Sequence, residues 1–303
     1  MTDPTTARRQ RLTGIALMCG AVATFSCLDT TGKYLLHYMD PLQVVWTRYT
    51  GAFLLALVFV NPVNTPGIMI TRRPWLQVGR SALLLTSTAL NFFALRYLQL
   101  DEALSILFST PFIVAILSGP LLGEWVGWRR WTAIGVGFFG VLLVARPGLG
   151  GLHPAALLSL GSAFCYSLYS ILTRNLARTD SSETTLFYTN LVGALAMLPI
   201  VAFVWTTPTS WFVIGLMVVI GGFGSFGHYL LICGHRLAPA STLAPFIYTQ
   251  IVWTTSLGYL TFGDVPHFWT VIGGLIVVGS GLYLLNRERK TGIAVTGGGV
   301  APK

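Results

Sequence analysis

The chain has 303 residues, of which 53% are hydrophobic and only 10% are charged, and its mean hydropathy is +0.69. A typical soluble protein carries about 25% charged residues because its surface must be hydrated. The 19 basic and 10 acidic side chains are too few to cover a soluble protein of this length. The composition therefore excludes a soluble enzyme, a disordered chain and a nucleic-acid binder with a polar shell, and it predicts an all-α integral membrane protein.

Ten apolar runs follow one another along the chain, each close to the roughly 20 residues that cross a hydrocarbon core. Arginines precede the first run, as in a secretory signal, but nine further runs favour a retained first helix. We number the predicted transmembrane helices as spans 1 to 10, and they cover residues 12–33, 42–60, 75–95, 103–122, 130–146, 154–174, 185–204, 210–233, 240–262 and 268–286.

The basic residues predict the orientation, because lysine and arginine are enriched on the cytoplasmic side. With the N-terminus inside, the outer ends of the spans hold only Lys33, Arg96 and Arg146. The inner segments hold 14 of the 19 basic residues: Arg8, Arg9, Arg11, Arg72, Arg73, Arg129, Arg130, Arg174, Arg178, Arg236, Arg287, Arg289, Lys290 and Lys303. This bias predicts ten crossings of the inner (plasma) membrane with both termini in the cytoplasm, and it needs no anionic partner beyond lipid headgroups.

An internal repeat relates the two halves of the chain. The sequence WTAIG at 131–135 recurs as WTVIG at 269–273, and Gly123-Glu124 recurs at nearly the same offset as Gly263-Asp264. Five spans are an odd number, so the second half must cross the membrane in the opposite sense, as in many secondary transporters. The sequence predicts inverted five-helix repeats over residues 1–147 and 148–290, followed by a flexible cytoplasmic tail over 291–303.

The set of motifs resembles the EamA family of the drug/metabolite transporter superfamily over residues 12–287. The resemblance rests on the ten-span layout and on Lys33, Pro41, Arg48, Pro111, Gly123-Glu124, Arg146-Pro147-Gly148, Ala238-Pro239-Ala240-Ser241 and Gly263-Asp264, with Asp264 where most of the family carries glutamate. It implies a secondary transporter that exports amino acids, other metabolites or drugs by alternating access. Aromatic amino-acid exporters of the YddG type are the nearest relatives that we expect.

Two glycine patterns, at 135–140 and 222–227, match the spacing of a dinucleotide fingerprint. Both lie inside apolar spans rather than after a strand, so we interpret them as sites of close helix packing. The sequence contains no metal-binding or phosphate-binding motif, and its four cysteines lie in apolar runs. We therefore expect no enzyme activity, no cofactor and no metal. A membrane enzyme would need a polar catalytic cluster, and a channel would not need two mirrored halves.

Asp29 is the one carboxylate deep in a span, and an ionised carboxylate there costs about 2.5–3.5 kcal/mol on insertion scales. It therefore takes part in a proton step or binds a substrate ammonium, or else it forms a structural ion pair with Lys33 one turn later. We interpret Arg48 and Arg80 as structural anchors, with carboxylate binding as the alternative. His228 is either a neutral hydrogen-bonding group or a titrating one.

Polar residues at helical spacing predict a central cavity. One stripe in span 6 contains Ser162, Tyr166, Tyr169 and Thr173, and one in span 9 contains Ser241, Tyr248, Thr255 and Tyr259. Lipid would leave these groups unpaired, so they should face the bundle interior, where they either bond between helices or line the cavity. We predict walls from Tyr166, Tyr169, Tyr248 and Phe108, contacts to the polar end of the substrate from Asn91, Ser109 and His228, and recognition of an amino group by Asp29.

Pro111 in span 4 and Pro245 in span 9 each remove a backbone amide, which frees the carbonyls of Leu107 and Ser241. Interrupted helices in corresponding spans point to the substrate site, so we predict hinges at both prolines and a gate at Lys33. The expected function is export of small amphipathic metabolites, foremost aromatic or apolar amino acids. The alternative is export of a drug or another metabolite, and energy coupling is left open.

Overall fold

The computed structural model describes residues 4–59, 67–98, 100–145 and 154–263, and parts of 268–283. Within these residues all regular structure is helical, which confirms the predicted all-α class. The helices are α1 (Pro4–Leu35), α2 (Pro41–Phe59), α3 (Pro74–Leu95), α4 (Leu100–Leu107), α5 (Thr110–Leu122), α6 (Trp128–Ala145), α7 (Ala156–Leu176), α8 (Ser182–Val204), α9 (Trp211–Leu237), α10 (Ala240–Leu243), a 3-10 segment (Ala244–Thr249) and α11 (Gln250–Phe262).

Five of the described helices are long and apolar enough to cross a membrane, namely Thr6–Leu35, Pro74–Leu95, Ala156–Leu176, Ser182–Val204 and Trp211–Leu237. Spans 2 and 5 coincide with α2 and α6, whereas spans 4 and 9 are each divided into shorter segments. Span 10 is helical where it is described, and Arg146, Asp264 and the tail 291–303 lie outside the described residues.

Large apolar side chains cover the outside of the bundle. Leu157, Phe203 and Leu260 are 73%, 90% and 76% exposed, respectively. Contiguous apolar surface of this kind is unfavourable in water and typical of contact with lipid. The polar side chains lie inside instead, which is the reverse of a soluble fold.

The two divided spans show the internal repeat in three dimensions. Helices α5 and α11 each have 13 residues, and they begin and end at positions related by the offset between Gly123 and Gly263. Each ends at a glycine in the left-handed conformation, with φ of 71° at Gly123 and 72° at Gly263. A residue with a side chain is strained there by about 1–2 kcal/mol. Helices α5 and α11 therefore begin and end at equivalent positions and have the same length, as expected of a repeat.

The break between α4 and α5 follows from Pro111. Proline has no amide hydrogen, so the carbonyl of Leu107 loses its helical donor. The Thr110 hydroxyl donates to that carbonyl at 2.6 Å and replaces the missing bond. In the second half the corresponding break is the 3-10 segment that contains Pro245. Both predicted hinge prolines therefore lie in interrupted helices.

The main contacts between a helix of the first half and a helix of the second have equivalent contacts in which the two halves exchange roles. Helix α1 packs along α9 just as α3 packs along α7, and α1 contacts α11 just as α5 contacts α7. The paired helices α1 and α9 run antiparallel, because Gly14 lies against Gly234 near one end of α1 and Tyr34 packs on Phe212 near the other. These are the contacts expected of two related halves that face one another.

Glycines allow the helices to approach closely. A Cβ atom on Gly221 would lie 2.6 Å from the carbonyl carbon of Gly51, so α2 and α9 touch backbone to backbone. In the two fingerprint-like patterns, Gly137 lies against the ring of Tyr248 and Gly227 against the ring of Phe25. These glycines serve helix packing, as predicted, and small residues are the usual means of close approach between membrane helices.

Candidate functional site

A cavity lies between the two halves of the bundle. Its volume is about 70 Å³, which is smaller than the roughly 300–1,000 Å³ of most small-molecule sites, so it is a narrow cavity in this conformation. Helices from both repeats and the 3-10 segment contribute to its wall. Its polar lining consists of Asp29, Arg48, Ser87, Thr88, Asn91, Thr110, Ser162, Tyr166, His228 and Gln250, and its apolar lining includes Phe25, Leu28 and Leu84.

Arg48 is the centre of a buried hydrogen-bond network at this cavity. Its Nη1 donates to the hydroxyl of Thr88 at 2.8 Å, and its Nη2 lies 2.7 Å from Nε2 of His228. A guanidinium group only donates, so Nε2 must be the acceptor and the imidazole of His228 is neutral. The proton then resides on Nδ1, which lies 3.1 Å from the hydroxyl of Tyr169. The neutral hydrogen-bonding role of His228 is the one that this geometry favours.

Asp29 has a different partner from the one considered in the sequence. Its Oδ2 accepts a hydrogen bond from Nε2 of Gln250 at 3.1 Å. Lys33 instead lies 4.7 Å from the centre of the Phe262 ring, so the alternative of a structural Asp29–Lys33 ion pair is wrong for this structure. The physical reason is that tertiary neighbours from α11 supply each side chain with a partner that the helix α1 alone does not contain.

The structure brings only part of the predicted site together. Asp29, Asn91, Tyr166 and His228 line the cavity. Tyr169 is fully buried behind the cavity wall, where its hydroxyl contacts His228 and its ring packs on Tyr166. The hydroxyl of Ser109, also predicted as a contact, is buried without a hydrogen-bond partner, and Lys33 lines a separate cleft with Asp40 and Arg96.

Phe108 and Tyr248 are not cavity walls in this structure, which corrects the prediction. Their rings meet edge to face, 5.5 Å between centres, and both side chains are almost completely buried. They occupy equivalent positions in the two halves, so the two breaks contact one another through repeat-related residues. Their aromatic surface joins the two interrupted helices instead of facing a substrate.

The predicted stripe in span 9 is also partly wrong. Tyr248 is buried, but Tyr259 is 52% exposed. The prediction assumed one continuous α-helix, whereas the six residues of the 3-10 segment advance by about 120° each instead of about 100°. The residues that follow are therefore rotated by about 120°. As a result, α11 buries Gln250, Ile251, Thr254 and Gly258.

Several cavity residues were not predicted from the sequence. Arg48 was expected to be an anchor, and Gln250 and Thr110 were not expected at the site. A signal was available, because Gln250 and Thr110 are equivalent positions of the repeat and directly follow the break in each half. Thr88 and His228, the two partners of Arg48, are related by the same offset along the chain.

One end of the bundle is closed by ionic contacts, and we call it the Glu124 end (Glu124, Arg174, His235 and Ala240). Nε of Arg174 lies 3.0 Å from Oε1 of Glu124, and its Nη1 donates to the carbonyl of His235 at 2.6 Å. The other carboxylate oxygen of Glu124 accepts from the amide of Ala240 at 3.0 Å. The ion pair therefore joins α7, α9, α10 and the segment after α5.

The opposite end has a wide cleft, and we call it the Lys33 end (Lys33, Asp40, Leu95 and Arg96). The volume of this cleft is about 520 Å³, compared with about 70 Å³ for the central cavity. Its one described ion pair, Arg96 with Asp40, is long at 3.9 Å, and the side chains are 57% and 30% exposed. An exposed pair of this kind contributes little to stability.

No group of three or more His, Cys, Asp or Glu side chains that could hold a metal ion occurs within the part of the chain that the structure describes.

Comparison with known families decides the class of protein. The family model of the EamA-like transporter family matches residues 12–146 and again 153–287, once for each half. The chain belongs to the EamA-like transporter family. Membership in this family confirms the predicted transporter of the drug/metabolite superfamily and confirms that it is not an enzyme.

Several characterised relatives of this EamA chain are transporters of different metabolites. It is 27% identical to an S-adenosylmethionine uptake transporter of Rickettsia prowazekii, over 94% of this chain and 96% of the relative. It is 25% identical to a riboflavin transporter of Rhizobium johnstonii (91% and 92%) and 24% identical to the pseudopaline exporter CntI of Pseudomonas aeruginosa (88% and 93%). A crystal structure with 19% identity has a TM-score of 0.73 over 95% of this chain and 99% of the other, which shows a shared fold.

Proposed function

We propose that this EamA chain is a secondary transporter of a small amphipathic metabolite that carries an α-amino-acid group, and that it works by alternating access. It crosses the inner membrane ten times as two inverted five-helix repeats, residues 1–147 and 148–290, with both termini and the tail 291–303 in the cytoplasm. The two family matches and the exchange-related helix contacts support this topology.

The unequal ends support alternating access. A transporter of this kind has a central site that is reached from one side at a time. In the proposed orientation the closed Glu124 end faces the cytoplasm and the Lys33 end, with its wide cleft, faces outward. The interrupted helices contact one another beside the cavity through Phe108 and Tyr248. A movement of one interrupted helix would therefore displace the other.

The observation that carries the substrate class is the environment of Arg48. This residue is 6% exposed, and the recorded hydrogen bonds of its guanidinium go to the neutral groups of Thr88 and His228. Asp29 interacts with Arg48 electrostatically across the cavity but bonds to Gln250 instead, so the guanidinium lacks the bidentate carboxylate partner that it prefers. A substrate carboxylate that enters the cavity supplies this partner. Asp29 in the same cavity offers a carboxylate to the substrate ammonium group.

The remaining lining suits the apolar part of such a substrate. Phe25, Leu28, Leu84 and the ring of Tyr166 line the cavity beside the charged groups. Export of aromatic or apolar amino acids stays a prediction. S-adenosylmethionine carries the same α-amino-acid group together with an aromatic base, and the name of the Rickettsia relatives makes it a second candidate. The riboflavin and pseudopaline relatives keep transport of another metabolite as the alternative.

The proposal is tested with purified protein in liposomes and labelled tryptophan, phenylalanine, threonine and S-adenosylmethionine. We expect at least one of them to move, in a saturable manner, and to be displaced by others that carry the α-amino-acid group. If none is transported by protein that is correctly folded, the substrate class is wrong. Sidedness is measured with right-side-out and inside-out vesicles, since export requires movement from the cytoplasmic face.

The Arg48→Gln variant tests the carboxylate site. Loss of a buried hydrogen-bonded charge partner costs about 2–5 kcal/mol, so transport at low substrate should fall by at least about 30-fold. Arg48→Lys keeps the charge and should retain part of the activity. Arg96→Gln removes an arginine that is 57% exposed in its side chain and should transport normally. Equal transport by Arg48→Gln and the wild type would contradict the assignment.

A further inference from the structure

A second buried arginine lies between the central cavity and the closed Glu124 end. Arg80 has no exposed surface, and its described partners are all neutral. Its Nη1 donates to the Thr173 hydroxyl at 3.2 Å, its Nη2 donates to the Thr185 carbonyl at 2.7 Å and to the hydroxyl of Thr189, and its guanidinium stacks on the ring of Tyr169. Three of its donors are satisfied, yet the positive charge faces no carboxylate within ion-pair distance among the described residues.

Polar atoms without partners surround this arginine. Nε of Arg80 has no hydrogen-bond partner, and neither ring nitrogen of His235 has one, although His235 is only 1% exposed. A buried polar group without a partner costs about 1–3 kcal/mol, and most native proteins contain few of them. Each such group needs an explanation, and a bound ion or water is one of them.

On each of three helices, a residue that lines the cavity has a polar residue two turns away in the direction of the Glu124 end. Arg80 is seven positions from Ser87 on α3, Thr173 is seven from Tyr166 on α7, and His235 is seven from His228 on α9. Seven residues are about two turns and about 10 Å of rise, so each pair lies on one face of its helix. The polar face of the cavity therefore continues toward the Glu124 end on all three helices.

We call Arg80, Thr173 and His235 the second level. Their neighbours connect them both to the cavity and to the closed end. Tyr169 bonds to His228 above and stacks on Arg80 below, so it separates the two levels. Thr173 precedes Arg174 in the chain, and the carbonyl of His235 accepts from Arg174. Opening the ion pair between Arg174 and Glu124 would expose this level first.

We infer that Arg80, Thr173 and His235 form a second, anion-binding site on the route between the central cavity and the Glu124 end. Its ligand is the carboxylate of the transported substrate, which passes from Arg48 to Arg80 when Tyr169 moves aside and the Glu124 end opens. Arg80 offers the unpaired Nε as a donor for that carboxylate, and His235 offers a ring nitrogen. The inference rests on the proposed function, because it concerns the same substrate.

The test uses a reporter cysteine and therefore needs no known substrate. Thr173→Cys is introduced into a variant in which Cys19, Cys27, Cys165 and Cys233 are replaced by serine, and Glu124→Gln is added to favour the open end. The reporter is treated with an anionic reagent, sulfonatoethyl methanethiosulfonate, and with a cationic one, trimethylammonioethyl methanethiosulfonate. The quantity measured is the ratio of the two reaction rates.

Relative to the ratio of the two rates at a free cysteine, we expect a shift of at least about tenfold in favour of the anionic reagent, because a unit positive charge adjoins the thiol. Arg80→Gln should reduce this preference to the part that the neighbouring Arg174 causes, and Arg80→Lys should restore it. A change in packing alone would alter both rates alike and leave their ratio unaltered. The inference is overturned if the ratio is the same in Arg80→Gln, or if the reporter never reacts while Thr110→Cys in the central cavity does.

Failure here is separable from failure of the proposed function. If the wild type transports the α-amino-acid probes but the reporter shows no preference for the anion, only the second site is wrong. If the reporter prefers the anion through Arg80 but none of the probes is transported, the anion site stands and the substrate class of the proposed function is wrong.

Discussion

The two ends of the bundle are made from repeat-related segments, yet one is closed by a half-buried ion pair and the other has a wide cleft. At the Glu124 end, Arg174 and Glu124 form an ion pair whose side chains are 18% and 12% exposed, and backbone groups of α9 and α10 bind to it. At the Lys33 end, Lys33 occupies the position in the first half that matches Arg174 in the second, but it lies over the ring of Phe262. The difference shows that equivalent positions do not have equivalent partners in one conformation.

At the closed end, the carboxylate of Glu124 binds both Arg174 and the amide of Ala240. The first test of this end removes the charge of Glu124. A hydrogen bond to a charged group is worth about 1.5–3 kcal/mol, so Glu124→Gln should increase opening of this end by about tenfold to a hundredfold. The measurement is the rate at which a membrane-impermeant maleimide, added on the Glu124 side, labels Thr110→Cys in a variant without the four native cysteines.

A matched control for this experiment is Glu183→Gln. Glu183 lies in the first turn of α8 and takes no part in the contacts of Arg174. Its removal should leave the labelling rate unchanged. An unchanged rate in Glu124→Gln as well would show that the ion pair does not hold this end closed.

The two left-handed glycines give a direct comparison between the ends. A Cβ atom at Gly123 or Gly263 would meet no neighbour within 4 Å, so backbone strain is the whole cost of an alanine there. Each substitution should lower the free energy of unfolding by about 1–2 kcal/mol. Gly135→Ala in α6, which also meets no neighbour, has helical backbone and should raise the free energy of unfolding by about 0.5–1 kcal/mol.

The thermal unfolding of the three variants in detergent measures these effects. Gly123→Ala should also speed labelling of the central cavity from the Glu124 side, since it disturbs the residue that precedes Glu124. Gly263→Ala should not. A clearly unequal loss of stability in the two glycine variants would mean that the ends differ in backbone strain as well as in partners.

The smallest expected effect is at the Lys33 end. The contact of Lys33 with the Phe262 ring lies at this end, and exposed cation–π contacts are worth about 0.5–1 kcal/mol. Phe262→Leu should therefore change labelling from the Lys33 side by less than about fivefold. Lys33→Met should have the same effect, and the double variant should show no further change. Additive effects would mean that the two side chains act independently.

Much of the architecture could be predicted because membrane insertion depends on local composition. The apolar runs predict α3, α7, α8 and α9, and the end of α1, to within a few residues of where the structure has them. The recurrence of motifs at a nearly constant offset predicts two related halves, which the family matches confirm. Prolines predict interruptions in spans 4 and 9, because a missing amide breaks a helix in any tertiary context.

The candidate site was predicted less well because side-chain partners come from distant helices. Asp29 has Lys33 as its neighbour in sequence, but Gln250, from the other half of the chain, is the partner that it contacts. The stripe through Tyr259 failed because the 3-10 segment changes the rotation of everything after it. Phe108 and Tyr248 have the aromatic character of a cavity wall, but their rings pack against one another.

The sequence by itself determined that this chain is an α-helical membrane transporter with two homologous halves, since hydropathy, repeat spacing and family membership are properties of the residue order. Only the tertiary structure decided that Arg48 faces the cavity, that His228 accepts from it, and that the Glu124 end is the closed one. The physical reason is that each charged side chain interacts with the group that tertiary packing places nearest to it. Two halves with related sequences can therefore give equivalent charged residues different partners at the two ends.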